Sequence, residues 1–199
     1  MMRSDFAAIA KWVEPGSQVL DVGCGDGSLL HHLKEAKQAH VYGVELADDK
    51  VLACAQKGLN VVQQDLEGGL ALFEDQSFDK VILSQTLQTI HQTARILSEI
   101  ARVGKECVVS FPNFGHWSHR SAVLLGRMPV SKSLPYQWYD TPNIRVGTFK
   151  DFEVLATKNQ LAILDAFGLQ DGREVRVLPN ARASTAVFRF ARASCVARD

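Results

Sequence analysis

The spacing of apolar residues makes strands and helices alternate along the first 112 residues. A helix capped by Ser4 or Asp5 runs through Trp12-Val13 to a stop at Pro15-Gly16. Strands are expected over Gln18–Val22, His40–Glu45, 60–64, Phe78–Ser84 and 106–111. Helices are expected over Ser28–Lys37, from Asp48-Asp49 through Lys57 with Gly58 as its stop, and over 95–103, where Ile96, Leu97, Ile100 and Val103 recur at helical spacing. The near-continuous apolar run of Phe78–Ser84 suits a strand buried on both faces. A helix begins again at Phe149-Lys150-Asp151-Phe152, and residues 161–169 and 184–190 form a final antiparallel pair, connected through Val177-Leu178-Pro179-Asn180-Ala181. Such alternation predicts an α/β fold with a doubly wound, mostly parallel sheet and an antiparallel C-terminal strand pair.

Between about 112 and 147 the alternation stops. The stretch is crowded with prolines, aromatics and polar groups, and it holds two of the three tryptophans and two of the three tyrosines. Loops this long without regular structure are usually functional or disordered, and the aromatic content argues against disorder. Three readings stand open for Trp117, Tyr136, Trp138 and Tyr139: a lid over a ligand, the anchor cluster of a protein interface, or plain core. The chain is expected to form a single domain over 1–199, with this segment as a lid or interface insertion.

Composition narrows the function. At 199 residues and 46% hydrophobic content, one substantial core is within reach. Lys plus Arg equals Asp plus Glu at 22 each, so no bulk field favours nucleic acid. No apolar run approaches the roughly 20 residues that span a bilayer, and Met1-Met2-Arg3-Ser4-Asp5 carries an acid where a signal peptide would not. Cysteines 24, 54, 107 and 195 lack metal or redox spacing, so free thiols in a reducing cytoplasm are expected. His116 and His119 are helically spaced but unaccompanied by further ligands, so no metal site is expected.

Candidate chemistry gathers where the first strand ends. Val19-Leu20-Asp21-Val22 runs into Gly23-Cys24-Gly25-Asp26-Gly27 just before a helix, a loop that lets the backbone turn sharply and present bare N–H groups. The spacing is Gly-x-Gly-x-Gly rather than the Gly-x-Gly-x-x-Gly that holds a pyrophosphate, and Asp21 and Asp26 would repel phosphate but welcome a sulfonium or ammonium. Cys24 reads as a small filler, with no basic neighbour to activate it. With Glu45 at the end of the second strand, this pattern resembles the S-adenosylmethionine site of class I methyltransferases. The resemblance implies a Rossmann-like class I methyltransferase fold and a site holding S-adenosylmethionine or S-adenosylhomocysteine. The implied binding residues are Asp21, Gly23, Cys24, Gly25 and Gly27 in the loop, Glu45 for the ribose hydroxyls, Asp65 and Leu66 beside the adenine, and Ser84 at the end of the fourth strand.

Other blocks resemble a narrower group. They are Gln63-Gln64-Asp65-Leu66-Glu67-Gly68-Gly69-Leu70, Val81-Ile82-Leu83-Ser84-Gln85-Thr86-Leu87-Gln88, Ser110-Phe111-Pro112-Asn113-Phe114-Gly115-His116-Trp117, Gly126-Arg127-Met128-Pro129-Val130, and the run from Leu134-Pro135-Tyr136 to Ile144. Together they resemble the methionine biosynthesis protein MetW family over about residues 3 to 170. That resemblance implies a cytoplasmic accessory partner of a MetX-type homoserine O-acyltransferase, with no membrane or nucleic-acid partner. The competing reading is an active S-adenosylmethionine-dependent small-molecule methyltransferase, for which His91, His116, His119 and Asp140 are the candidate bases, none of them compelling.

Overall fold

The computed structural model describes residues 3–193; Met1, Met2 and 194–199, with Cys195 among them, lie outside the described residues. The chain order is α1 (Ser4–Ala10), β1 (Gln18–Val22), α2 (Ser28–Lys37), β2 (His40–Glu45), α3 (Asp48–Gln56), β3 (Asn60–Gln63), β4 (Phe78–Ser84), α4 (Thr93–Val103), β5 (Gly104–Pro112), α5 (Trp117–Leu124), α6 (Phe149–Lys158), β6 (Leu161–Gln170), β7 (Arg173–Val175), α7 (Pro179–Arg182) and β8 (Thr185–Arg192). One sheet holds all eight strands in the order β3-β2-β1-β4-β5-β8-β6-β7. Its first five are parallel. The remaining three run antiparallel to their neighbours.

Strand order reverses between β1 and β4, which opens a crevice at their C-terminal ends. Residue alternation decides what faces it. Leu20, Val22, Val81, Leu83, Cys107 and Val109 enter one apolar cluster with α4 and α6, built around Phe111, Phe149, Phe152, Phe188 and Phe190. Val19, Ile82 and Val108 enter the opposite cluster with α1 and α2. Asp21, Ser84 and Ser110 share the parity of that second set, so the polar ends of β1, β4 and β5 point together toward α1.

The structure corrects the reading of 112–147 as free of regular structure, since α5 lies within it. Its sequence shows no apolar stripe because only His119 among its residues is buried, so periodicity had nothing to register. The C-terminal pair gains a third strand, the short edge β7. Helix α1 ends at Ala10 rather than Val13, and Arg3, not Ser4 or Asp5, occupies its N-cap position. Buried Asn113 anchors the entry to the insertion: its amide nitrogen donates to the carbonyls of Asn180 at 2.9 Å and Ala183 at 2.7 Å, and its oxygen accepts from the amides of Gly115 at 3.0 Å and Phe149 at 3.1 Å. No helix among the described residues is long and apolar enough to cross a membrane, and Cys24, Cys54 and Cys107 are buried free thiols.

Candidate cofactor site

The loop after β1 folds back onto β2, with the amides of Gly23 and Cys24 both donating to the carbonyl of Val44 at 2.8 and 3.1 Å. Gly23, Gly25 and Gly27 all have positive φ, at 77°, 58° and 74°, a region that side-chain-bearing residues avoid. Packing separates their roles. A Cβ on Gly23 would stand 2.6 Å from Cγ2 of Thr86, and one on Gly27 would stand 2.5 Å from Cδ1 of Leu59, whereas a Cβ on Gly25 would meet nothing within 4 Å. Gly25 is where the loop faces open space.

That space is a cleft of about 500 Å³ lined by Arg3, Phe6, Asp21, Gly23, Cys24, Gly25, Asp26, Ser28, Leu29, Lys50 and Ser84. Five of the sequence candidates, Asp21, Gly23, Cys24, Gly25 and Ser84, therefore share one wall. Gly27 packs behind the loop, while Glu45, Asp65 and Leu66 stand at the ends of β2 and β3, outside the lining. Asp65 caps a 3-10 turn by accepting from the amide of Glu67 at 2.9 Å, and Leu66 leans on the apolar core.

Glu45 is busier than a vacant ribose acceptor. Its Oε2 accepts from the amide of Gly25 at 2.7 Å, and its Oε1 accepts from the amides of Leu46 at 2.8 Å and Ala47 at 3.1 Å. A carboxylate offers about four lone-pair positions, so one remains beside Gly25 and a ribose pair would have to share or displace that amide. Asp26 is also spoken for. Ser28 and then Lys57 bond its exposed carboxylate and hold it down to about 2, so the charge it adds to the cleft is partly neutralised.

Asp21 is the unsettled charge. It is 2% exposed, and its Oδ1 has no hydrogen-bond partner. Burial pushes its carboxyl up to about 7 against the pull of the Arg3 guanidinium, with Asp5 and Glu45 adding to the rise. A fixed positive charge entering the cleft would favour the ionised form. Because the folded state holds this proton more tightly than the unfolded chain does, Asp21 contributes stability at low pH that is lost as pH rises from about 4 to about 7. The melting temperature of the free protein should accordingly fall across that window relative to Asp21→Asn; parallel pH profiles would show that Asp21 is not held protonated. Burial and the Asp21 charge beside it also push the Cys24 thiol far above its usual range, so it fills space rather than reacts.

Helix α1 contributes what the sequence reading missed. Arg3 donates from Nε and Nη2 to Asp5 at 3.1 and 2.6 Å, and again from Nη2 to the Ser84 hydroxyl at 2.7 Å. Buried Asp5 also accepts from the hydroxyls of Ser84 at 2.8 Å and Ser110 at 3.1 Å. Ser84 thus reaches the cleft already engaged on both sides. The signal was present: Asp5 precedes Ile9, and Ile9 precedes Val13, by four residues each, which puts an acid on the helix's own apolar stripe.

None of the candidate bases lines the cleft. His119 uses both ring nitrogens, on the Asn113 carbonyl at 3.1 Å and the Ser131 hydroxyl at 3.0 Å, and burial holds it below its ordinary range. His116 shares a hydrogen bond with the Ser118 hydroxyl and is lowered first by burial and then by His119. His91 and Asp140 lie exposed. Plain core is also ruled out for most of the insertion's aromatics, since Trp117 is 64% exposed and Trp138 and Tyr139 are 71% exposed.

A glycine loop at the switch point of a sheet ordered 3-2-1-4-5, extended by antiparallel strands, defines the fold of class I S-adenosylmethionine-dependent methyltransferases. Solved structures of that class superimpose on the chain. An S-adenosylmethionine-dependent methyltransferase from Thermotoga maritima, described as a possible histamine N-methyltransferase, has a TM-score of 0.68 at 17% identity, covering 95% of this chain and 88% of that one. Another from Mesorhizobium loti has a TM-score of 0.70 at 15% identity, covering 94% and 97%. Within this fold the chain belongs to the MetW family, whose model, described as methionine biosynthesis protein MetW, matches residues 3–190. A Rhodopirellula baltica protein described as bifunctional methionine biosynthesis protein MetXA/MetW is 35% identical over 202 aligned residues, 94% of this chain and 32% of that protein. A Bacillus cereus demethylmenaquinone methyltransferase is 34% identical over 100 residues, 47% of this chain and 42% of that protein. The chain spans about a third of the first relative's length and under half of the second's.

Proposed function

We propose that this chain is a cytoplasmic accessory protein of methionine biosynthesis that binds a MetX-type homoserine O-acyltransferase, and that its cleft takes S-adenosylmethionine or S-adenosylhomocysteine as a signal of downstream methionine supply. The observation that carries this reading is a cleft at the switch point with an unsatisfied buried acid and with none of His91, His116, His119 and Asp140 on its walls. Support for the partner comes from the relative whose printed name joins MetXA to MetW. The insertion, with its exposed aromatics, is the surface proposed to touch that partner.

The residues present fit the cofactor. Asp21 answers a positive charge, and the open face of Gly25 admits close approach by a flat ligand. Asp21, Gly23, Cys24, Gly25 and Ser84 would hold it from the cleft, Gly27 would set the loop's shape, and Glu45, Asp65 and Leu66 would hold its nucleoside end from the rim. S-adenosylmethionine would supply a sulfonium there. A ligand that binds free and partnered forms unequally couples its own level to the partner's activity, and the partner shifts its affinity by the same factor.

Two measurements test the reading. The tagged protein should co-purify with its host's acyltransferase and show no turnover of labelled S-adenosylmethionine in a metabolite extract; turnover without co-purification would make it a methyltransferase instead. Calorimetry should detect S-adenosylhomocysteine, and Glu45→Ala should weaken that binding about 10- to 100-fold through a lost charged acceptor. No heat with either nucleoside at millimolar concentration would exclude the sensing role.

A further inference from the structure

Arg3 has two sides. Its Nε and Nη2 serve Asp5 and Ser84, while the same side chain forms part of the wall of a second cavity, of about 490 Å³, lying under the insertion. Nη1 makes no hydrogen bond to a described residue, and Phe6 covers the guanidinium with its ring centroid 4.9 Å away. The cavity's other cation is Lys132, exposed and without an ion-pair partner among the described residues. Its one acid, Asp5, already accepts from Arg3, Ser84 and Ser110. One positive charge therefore stands uncompensated on the wall.

The rest of the lining is neutral and mixed. Pro135, Pro142 and Tyr136 supply apolar sides, and Gln88 and Asn143 supply amides. The Gln88 amide nitrogen donates to the Gln85 carbonyl at 2.7 Å, but its Oε1 is buried without a donor. Amide side chains on a cavity wall can offer an incoming molecule both donors and acceptors.

We propose that this cavity binds a small monocarboxylate whose uncharged body carries a hydroxyl or amide donor. The carboxylate lies between Nη1 of Arg3 and the Lys132 ammonium, since each can give a charge-assisted hydrogen bond and a single net charge suits one anion. The donor meets the amide side chains of Asn143 and Gln88 on the wall. Because Arg3 walls both cavities, occupancy here and in the cofactor cleft is coupled, yet the site itself goes beyond the cofactor reading and can be measured with no nucleoside present.

The probe is 4-hydroxybutyrate, with butyrate lacking the hydroxyl and 4-hydroxybutyramide lacking the charge. In ¹⁵N-labelled full-length protein, 4-hydroxybutyrate at millimolar concentration should shift the side-chain amide signals of Gln88 and Asn143 saturably. Butyrate should bind more weakly, and 4-hydroxybutyramide should not bind. Lys132→Ala, at an exposed position that leaves the fold intact, should weaken binding about tenfold through one lost charge-assisted bond. Absence of saturable shifts, equal binding of the neutral amide, or an unchanged affinity in Lys132→Ala overturns the proposal. Calorimetry with S-adenosylhomocysteine on the same sample reads the cofactor cleft separately, so either site can fail without the other.

Discussion

Replacing Leu124 and Trp138 together by aspartate should abolish co-purification with the acyltransferase and leave the melting temperature within about 2 °C of the parent, the range of surface changes. Leu124 is 87% exposed and Leu125 79%, and more than half of the large exposed hydrophobic side chains among the described residues fall between Trp117 and Val146. Soluble proteins seldom leave so much apolar surface bare unless it has a partner, and buried tryptophans are frequent anchors once the partner docks. The same segment carries exposed Arg120, Arg127, Lys132 and Arg145 against the single acid Asp140, in a chain whose total charge is zero. The facing surface should therefore be apolar with an acidic rim, and association should slow as salt is raised. Losing two apolar anchors costs about 4 kcal/mol, enough to move a micromolar complex beyond detection by affinity capture. Leu52→Asp, exposed on α3, serves as the control and should co-purify normally. If the double variant still captures the acyltransferase, the partner docks elsewhere.

The second large effect separates two glycines of one loop. Gly25→Ala places a methyl in open space at φ 58°, so the fold should lose only about 1 to 2 kcal/mol of backbone strain while S-adenosylhomocysteine binding falls at least about 100-fold. The methyl would stand where a ligand must approach the bare backbone. Gly27→Ala meets Leu59 and Cys54 inside the core, adding overpacking to the same strain. It should lower the melting temperature by about 10 °C, from roughly 3 kcal/mol at about 2 to 4 °C per kcal/mol. Thermal melts and calorimetry on both variants check the pair. Normal nucleoside binding by Gly25→Ala would mean the cradle opens on another side.

Most of the parallel half was legible because its strands and helices obey simple periods. Gln18–Val22, Ser28–Lys37, His40–Glu45 and Phe78–Ser84 have the bounds their apolar spacing implies. Helix α5 was not legible, because a helix lying across the surface with one buried histidine has no stripe to read. At the cleft, the positions of Asp21, Gly23 and Gly25 could be read from the strand-loop junction alone. The engagement of Ser84 by Arg3 and Asp5 could not, since it joins residues about 80 positions apart whose meeting depends on the whole sheet. Likewise the occupancy of Glu45 by three amides follows from how the loop curls back, which spacing does not encode.

Strand β8 inserts between β5 and β6, pairing Cys107 with Phe190 and Pro112 with Thr185. During synthesis the parallel half thus leaves the ribosome with the whole of β5 as a bare edge, and about 70 further residues must emerge before that edge is covered. A nascent chain in this state is a template for unwanted strand pairing. Chaperone demand, and the harm done by a premature stop codon, should therefore concentrate in the interval before β8 is made.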